Sequence, residues 1–233
     1  MKLALISDIH SNLTALKAVL ADVKTQGCNQ IISLGDVVGY HAEPGECIDL
    51  LIQHNVTNIM GNHDYYLIGE ENCPRSRLVS QIIDYQKEIV TSEQKDWLAQ
   101  SVSSLIIDDM YMVHGGWKDP LDQYLYKVRD EDIPEEAKML FSGHTHVQCL
   151  AEFGKRYYCN PGSVGQPRDG DPRAAYAIVD NNRIILRRID YDINKTVQSM
   201  IAAGFDSKFY MNLYKGTQIG GRIDKIIIEQ GDI

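Results

Sequence analysis

KLALISDIHSNLTALKAVLADV, residues 2 to 23, opens with an apolar run and continues into a helical repeat. KLALIS has the length and composition of a buried strand. Leu13, Leu16, Val19, Leu20 and Val23 then recur at helical spacing up to Gly27. The same alternation returns with IISL, then Ile48, Leu51 and Ile52 on a second helical face, then VTNIM. Strands alternating with helices predict βαβ units around buried parallel strands.

Downstream, residues 75 to 102 read as helical, with Leu78, Ile82, Tyr85 and Ile89 on one face and a capping box from Thr91 to Gln94. Thereafter SLIID, YMVH, MLFS, RYYCN, AYAIVD and RIILRRID read as short strands, with Asn181-Asn182 as a hairpin turn. Ile193, Val197, Met200 and Ile201 form a last helical face. GTQIGG, residues 216 to 221, reads as mobile, and RIDKIIIEQ as a candidate final strand. The acidic DEDIPEE, residues 130 to 136, reads as a solvated helix start. With neither repeat nor linker, residues 1–233 read as a single domain.

Composition narrows the class. The five cysteines contain no C-x-x-C pair, which argues against a disulfide framework or a cysteine zinc site and for a reducing compartment. The first apolar run is too short for a signal peptide and no stretch is long enough to span a bilayer, so the expectation is a soluble cytoplasmic protein. A net charge of −9 argues against binding long nucleic acid, whose affinity comes from Lys and Arg neutralising phosphates. Small phosphate esters stay open, because bound cations can make a local site positive.

Chemistry gathers where the apolar runs end. KLALIS leads to Asp8 and His10, IISLG to Asp36, VTNIMG to Asn62 and His63, MYMV to His114, and MLFSG to His144 and His146. In open α/β sheets these strand ends share one rim. Taken alone, the pair in SGHTH reads equally as an exposed polar loop or as two ligands, since residues i and i+2 of an extended chain point to one side. Carboxylates, an amide oxygen and imidazoles without thiolate suit Mn, Fe or Zn. The set exceeds what one ion needs, whereas two ions sharing a carboxylate use it all, the arrangement employed for in-line displacement at phosphorus.

DIH, GDVVG, GNHD, VHGG and GHTH, at Asp8, Asp36, Asn62, His114 and His144, resemble in order the signature blocks of the calcineurin-like metallophosphoesterase family. NPGSVGQPRDGD resembles a segment of its small bacterial phosphodiesterase branch, which includes asymmetrical diadenosine tetraphosphate hydrolase activity. The resemblance implies a four-layer α/β/β/α sandwich of two mixed sheets flanked by helices. It implies two divalent ions, manganese first, with Fe, Zn or Ni as alternatives. Asp8, His10 and His146 would bind one, Asn62, His114 and His144 the other, and Asp36 would bridge them. A metal-bridging hydroxide would then be the nucleophile, with His63 as general acid.

The chain also departs from the family's protein phosphatases. Gly39 stands where their aspartate would pair with the acid histidine, and Tyr40 and Met60 stand where arginines would grip phosphate. Asp64 adjoins His63 but is not counted as catalytic, since neighbours often point apart. Phosphate contact then falls to Arg168, whose guanidinium suits bidentate binding, with Asn160, Ser163 and the metal ligand Asn62 as weaker substrate contacts. The other reading of Arg168 is a solvated loop residue. His41 reads as a surface histidine, with substrate contact as the alternative. Tyr124 and Tyr126 read as packing or as a surface for a base.

The leading functional expectation is hydrolysis of small phosphodiesters or nucleotides, such as cyclic nucleotides or dinucleoside polyphosphates. The alternatives are a phosphomonoesterase acting on a sugar or nucleotide monophosphate and a non-catalytic scaffold that keeps the fold. No sequence pattern compels an oligomer.

Overall fold

The computed structural model describes residues 2–229. One five-stranded sheet has the order β11-β10-β1-β2-β3. In it β1 (Lys2–Ile6), β2 (Gln30–Ser33) and β3 (Thr57–Asn58) run parallel, while β10 (Ala174–Asp180) and β11 (Arg183–Ile189) add an antiparallel edge. The second sheet, order β4-β5-β7-β9-β8, joins β4 (Ser104–Ile107), β5 (Met110–Val113), β7 (Met139–Phe141), β8 (Cys149–Phe153) and β9 (Arg156–Asn160). Its β5, β7 and β9 are mutually parallel.

Among the described residues six α-helices flank these sheets: α1 (Leu13–Thr25), α2 (Pro44–Gln53), α3 (Asn62–Ile68), α4 (Arg77–Ile89), α5 (Ser92–Ala99) and α6 (Ile193–Ala202). The architecture is an α/β sandwich of two mixed sheets packed face to face.

Strand alternation explains why β1 is apolar throughout. Leu3 and Leu5 face the second sheet, where they pack with Met112, Met139 and Phe141. Ala4 and Ile6 face the opposite way onto Leu16, Val19 and Leu20 of α1 and Ile48 and Leu51 of α2. A strand covered on both faces carries apolar residues at every position. On the far side of the second sheet, Leu140 and Tyr158 are covered by Leu125, Val128, Ile133 and Ala137.

Local signals hold where the chain decides its own geometry. Thr91 and Gln94 form the reciprocal capping box of α5, and Asn181 and Asn182 turn the β10–β11 hairpin with φ of 49° and 62°. Tertiary packing corrects other expectations. The buried stripe of α4 is Val79, Ile82, Ile83 and Gln86, while Ile89 is exposed, because α4 packs on two sides, against Tyr66 and Cys73 and against Met200 and Phe209.

DEDIPEE forms only a 3-10 turn at Asp130–Asp132, since Pro134 favours extended backbone at Ile133. The tail pairs only through β12 (Ile227–Ile228), parallel to β6 (Lys127–Val128); Gln230, the last residue of RIDKIIIEQ, lies outside the described residues. GTQIGG is a bonded turn, with Gly221 N–H donating to the Gln218 carbonyl and Thr217 buried. Among the described residues no helix is long and apolar enough to cross a membrane.

Candidate active site

The candidate ligands lie just beyond the carboxyl ends of parallel strands: Asp8 and His10 after β1, Asp36 after β2, Asn62 and His63 after β3, His114 after β5, and His144 and His146 after β7. Several sit in left-handed backbone, with φ of 53° at Asp8, 49° at His10, 56° at Asp36, 64° at His144 and 58° at His146. Each such residue costs on the order of 1–2 kcal/mol against ordinary backbone. Bonds between neighbouring strand ends hold them there: Asp8 N–H to the Gly35 carbonyl at 3.0 Å, His10 N–H to the Asp36 carbonyl at 2.9 Å, and Gly143 N–H to the His114 carbonyl at 2.8 Å. Gly61 permits a close approach of two loops, because a Cβ there would stand 2.1 Å from the Asp36 nitrogen.

Two clusters of potential ligand atoms result. One joins Asp8, His10, Asp36 and His146, the other Asp36, His114 and His144, and within each cluster the atoms lie within 4.8 Å of one another. Asp36 belongs to both. Its Oδ2 stands 3.5 Å from His10 Nε2 and 3.5 Å from His114 Nε2. Asn62 Oδ1 joins the second cluster, 3.2 Å from His114 Nε2.

Second partners fix the imidazole tautomers. The Nδ1–H groups of His10, His114 and His146 donate to the carbonyls of Val38, Leu34 and Gln166 at 2.8, 2.9 and 2.7 Å. Their Nε2 lone pairs then point inward, the arrangement that prepares histidine for a metal. His10 Nε2 and His146 Nε2 are 3.1 Å apart, and His114 Nε2 and His144 Nδ1 are 3.0 Å apart. Two nitrogens each about 2.1 Å from one cation and at right angles about it are spaced by about 3 Å, so the donor set fits divalent ions.

Charge follows the same pattern. Burial pushes the pKa of Asp8 and Asp36 up, but their imidazole neighbours, His146 for Asp8 and His114 for Asp36, outweigh it and hold both carboxyls down at about 2. Burial lowers His114, yet the Asp36 carboxylate outweighs that and brings it up to about 9, so before an ion binds its Nε2 holds a proton toward Asp36 that coordination would displace. Burial keeps His10 and His144 well below the usual range, leaving their lone pairs free at neutral pH.

A cleft of about 260 Å³ adjoins the clusters, lined in part by Tyr40, Tyr124, Gln166 and Arg168. Arg168 is buried, and its guanidinium donates to the Tyr40 hydroxyl at 2.9 Å while its Nε has no partner. Tyr124 lies over His144 with ring centroids 3.7 Å apart. His63 is packed against His10 and Tyr40, at centroid distances of 4.7 and 4.8 Å, with Nε2 4.0 Å from Asp36 Oδ2 and Nδ1 unpartnered.

Residues 1–183 match the profile of the calcineurin-like phosphoesterase superfamily domain. The chain belongs to that superfamily. It is 36% identical over 224 residues to an uncharacterised protein of Methanocaldococcus jannaschii, a match covering 85% of this chain and 91% of that one. It is 25% identical over 192 residues to the phosphodiesterase YfcE of Escherichia coli, covering 78% and 89%. A solved metallophosphoesterase from Sphaerobacter thermophilus superposes with a TM-score of 0.83 at 34% identity, over 93% of this chain and all of that one.

The departures of this phosphoesterase from the protein phosphatase pattern have a structural reading. A Cβ at Gly39, which has φ of 93°, would stand 2.1 Å from His63 Nδ1. The His63 ring therefore lies directly against the Gly39 backbone, in the space a side chain at position 39 would need, and is oriented by ring packing. Asp64 faces away from the His63 ring: its carboxylate accepts from the N–H groups of Val37, Val38 and Gly61, tying the GDVVG and GNHD loops together. Burial and the Asp36 charge push its carboxyl up to about 7.

His41 is fully buried, contrary to the surface expectation. Its ring bonds the His10 carbonyl at 2.7 Å, so it fills the space beneath a strained ligand residue, and burial lowers it to about 4. Asn160 and Ser163 also turn inward instead of toward the cleft. Asn160 donates to the Gly143 carbonyl and Thr145 Oγ1, and Ser163 donates to the Asp8 carbonyl, so both brace the loops that carry ligands.

Gln86 of α4 went unrecognised in the sequence. Its amide accepts from Gly39 N–H and donates to Ser11 Oγ and the His41 carbonyl, fixing the loop against which His63 packs. Only its place within a helical stripe offered a signal, and there a glutamine reads as surface.

Proposed function

We propose that this phosphoesterase hydrolyses small phosphodiesters, nucleotides among them, with two divalent ions, manganese first. The observation that carries the reading is the single carboxylate, Asp36, shared between two buried clusters of metal-type donors beside a cleft that holds a buried arginine. Asp8, His10 and His146 would hold one ion, and Asn62, His114 and His144 the other, with Asp36 common to both. Bound there, the ions supply water activation and neutralise charge developing on the phosphoryl oxygens.

The protein's own groups do the rest. Arg168, steadied by the Tyr40 hydroxyl, grips a phosphoryl oxygen. His63, packed between His10 and Tyr40 at the edge of the clusters, delivers a proton to the leaving oxygen. The carbonyls of Val38, Leu34 and Gln166 keep three ligand imidazoles in the tautomer that coordination needs.

Buried Arg168 also favours a second reading, in which it clamps a terminal phosphate and the substrate is a sugar or nucleotide monophosphate. Metal-stripped protein reconstituted with Mn²⁺ and given bis-p-nitrophenyl phosphate or p-nitrophenyl phosphate separates the two. Preference for the diester is the expected result. Preference for the monoester would favour the second reading, and no turnover of either would leave a scaffold.

A further inference from the structure

The superfamily match ends at residue 183, yet the chain returns to the site much later. Gly216, left-handed at φ 59°, ends a 3-10 turn at Met211–Lys215, and its carbonyl accepts from Gly170 N–H at 2.9 Å. Asp224 N–H donates to the Arg168 carbonyl at 2.8 Å. The loop presenting Arg168 is thus bonded twice to the C-terminal segment. The buried Asp224 carboxylate accepts from the Tyr126 hydroxyl at 3.1 Å, Gln218 Nε2 at 2.6 Å and Arg222 Nε at 2.8 Å. So held, Gln218 and Ile219 form part of the cleft wall.

Three side chains of this cleft make no hydrogen bond to a metal-type ligand. Tyr124 is 42% exposed although it lies over His144, and Tyr126 is parallel to it, with centroids 5.5 Å apart and planes 4° apart. The side-chain amide of Gln166 is buried with neither nitrogen nor oxygen hydrogen-bonded. Arg168 Nε is likewise unpartnered. A buried polar group left unpaired loses the hydrogen bond it had with water, so these groups call for a ligand with matching donors and acceptors. With His144 over the Tyr124 ring and Tyr126 offset in parallel beside it, a planar heteroaromatic ring joined to a phosphate would stack on the part of Tyr124 left exposed, offer an edge to Gln166 and a charge to Arg168.

We propose that the segment from Gly216 to Ile228 completes a subsite for the nucleoside part of the phosphate ester, with Tyr124 stacking on the base, Gln166 pairing with its edge, and Gln218 and Ile219 closing the wall. This deepens the phosphoesterase reading and rests on it for the identity of the phosphate. Asp224 is the positioning residue, acting through Gln218, Tyr126 and the Arg168 backbone.

Calorimetric titration of the Mn²⁺-loaded full chain with adenosine 5′-monophosphate and with methyl phosphate tests it. Base stacking on an aromatic side chain is worth about 1–3 kcal/mol, so the nucleotide should bind about 5- to 150-fold more tightly. Tyr124→Leu, which keeps apolar volume without the ring face, and the double change Gln218→Ala with Ile219→Ala should each bring that ratio toward one with metal content unchanged. Asp224→Ala should do the same, and Asp224→Asn, which retains an acceptor, should recover part of the preference.

Equal affinity of the wild-type protein for the two probes overturns the proposal, as does a preference that survives both Tyr124→Leu and the double change. Nucleotide preference in a protein that hydrolyses neither p-nitrophenyl ester would support the subsite and remove the phosphoesterase reading. Turnover without nucleotide preference would do the reverse.

Discussion

The two halves of the site are built on different principles. The metal-type clusters draw on five strand ends, with left-handed backbone, fixed tautomers and almost no exposure. The cleft beside them takes Tyr40, Tyr124, Gln166, Arg168 and Gln218 from loops far apart in the chain and keeps unpaired polar groups. Coordination needs particular atoms about 2 Å from an ion, and only a rigid frame keeps them there at the cost of strain. Substrate recognition tolerates adaptable walls and is served by surface loops.

The comparison breaks most sharply at Asp36. Asp36→Asn removes the carboxylate common to both clusters, so bound metal per chain, read by elemental analysis, should fall from two. Activity should fall by more than the roughly 10- to 100-fold typical of outer-shell partners. Normal metal content and rate in that variant would contradict a shared ligand.

His63 lies at the boundary between the halves and sharpens the contrast. His63→Ala should leave both ions bound and slow kcat on the order of a hundredfold or more, the range of a lost general acid. Loss of metal there would make His63 a ligand. The smallest effect belongs to the cleft. Arg168→Ala should lower kcat/KM by about 10- to 100-fold, since charged hydrogen bonds are worth about 1.5–3 kcal/mol, with metal content intact. Arg168→Lys should recover part of that loss but not the bidentate contact; a wild-type rate in Arg168→Ala would move phosphate contact elsewhere.

Legibility divides along the same line. Asp8, Asp36 and His114 stand out because each ends a β-rich apolar run, and a run's end is visible without knowing the fold. His41 misleads: a histidine after Gly39 and Tyr40 in a loop reads as surface, yet it lies beneath His10. Asn160 shares a loop with Arg168, but only the direction of its side chain, toward Gly143 and Thr145, reveals a brace. Gln86 is an interior clamp on a helix whose Arg77, Gln81, Asp84 and Glu88 are exposed.

By itself the sequence determined the alternation of strand and helix, the apolar faces of β1 and α1, the hairpin at Asn181-Asn182, the α5 cap, and a set of metal-type residues at strand ends. These follow from short-range pattern, because backbone propensity and side-chain periodicity act within a few residues. Tertiary structure alone decided that Asp36 faces both clusters, that the His63 ring closes against Gly39 in the space a side chain there would need, and that residues 216–228 return to hold Arg168. Those facts depend on distances between segments far apart in the chain, set by how two sheets pack, and no local pattern encodes them.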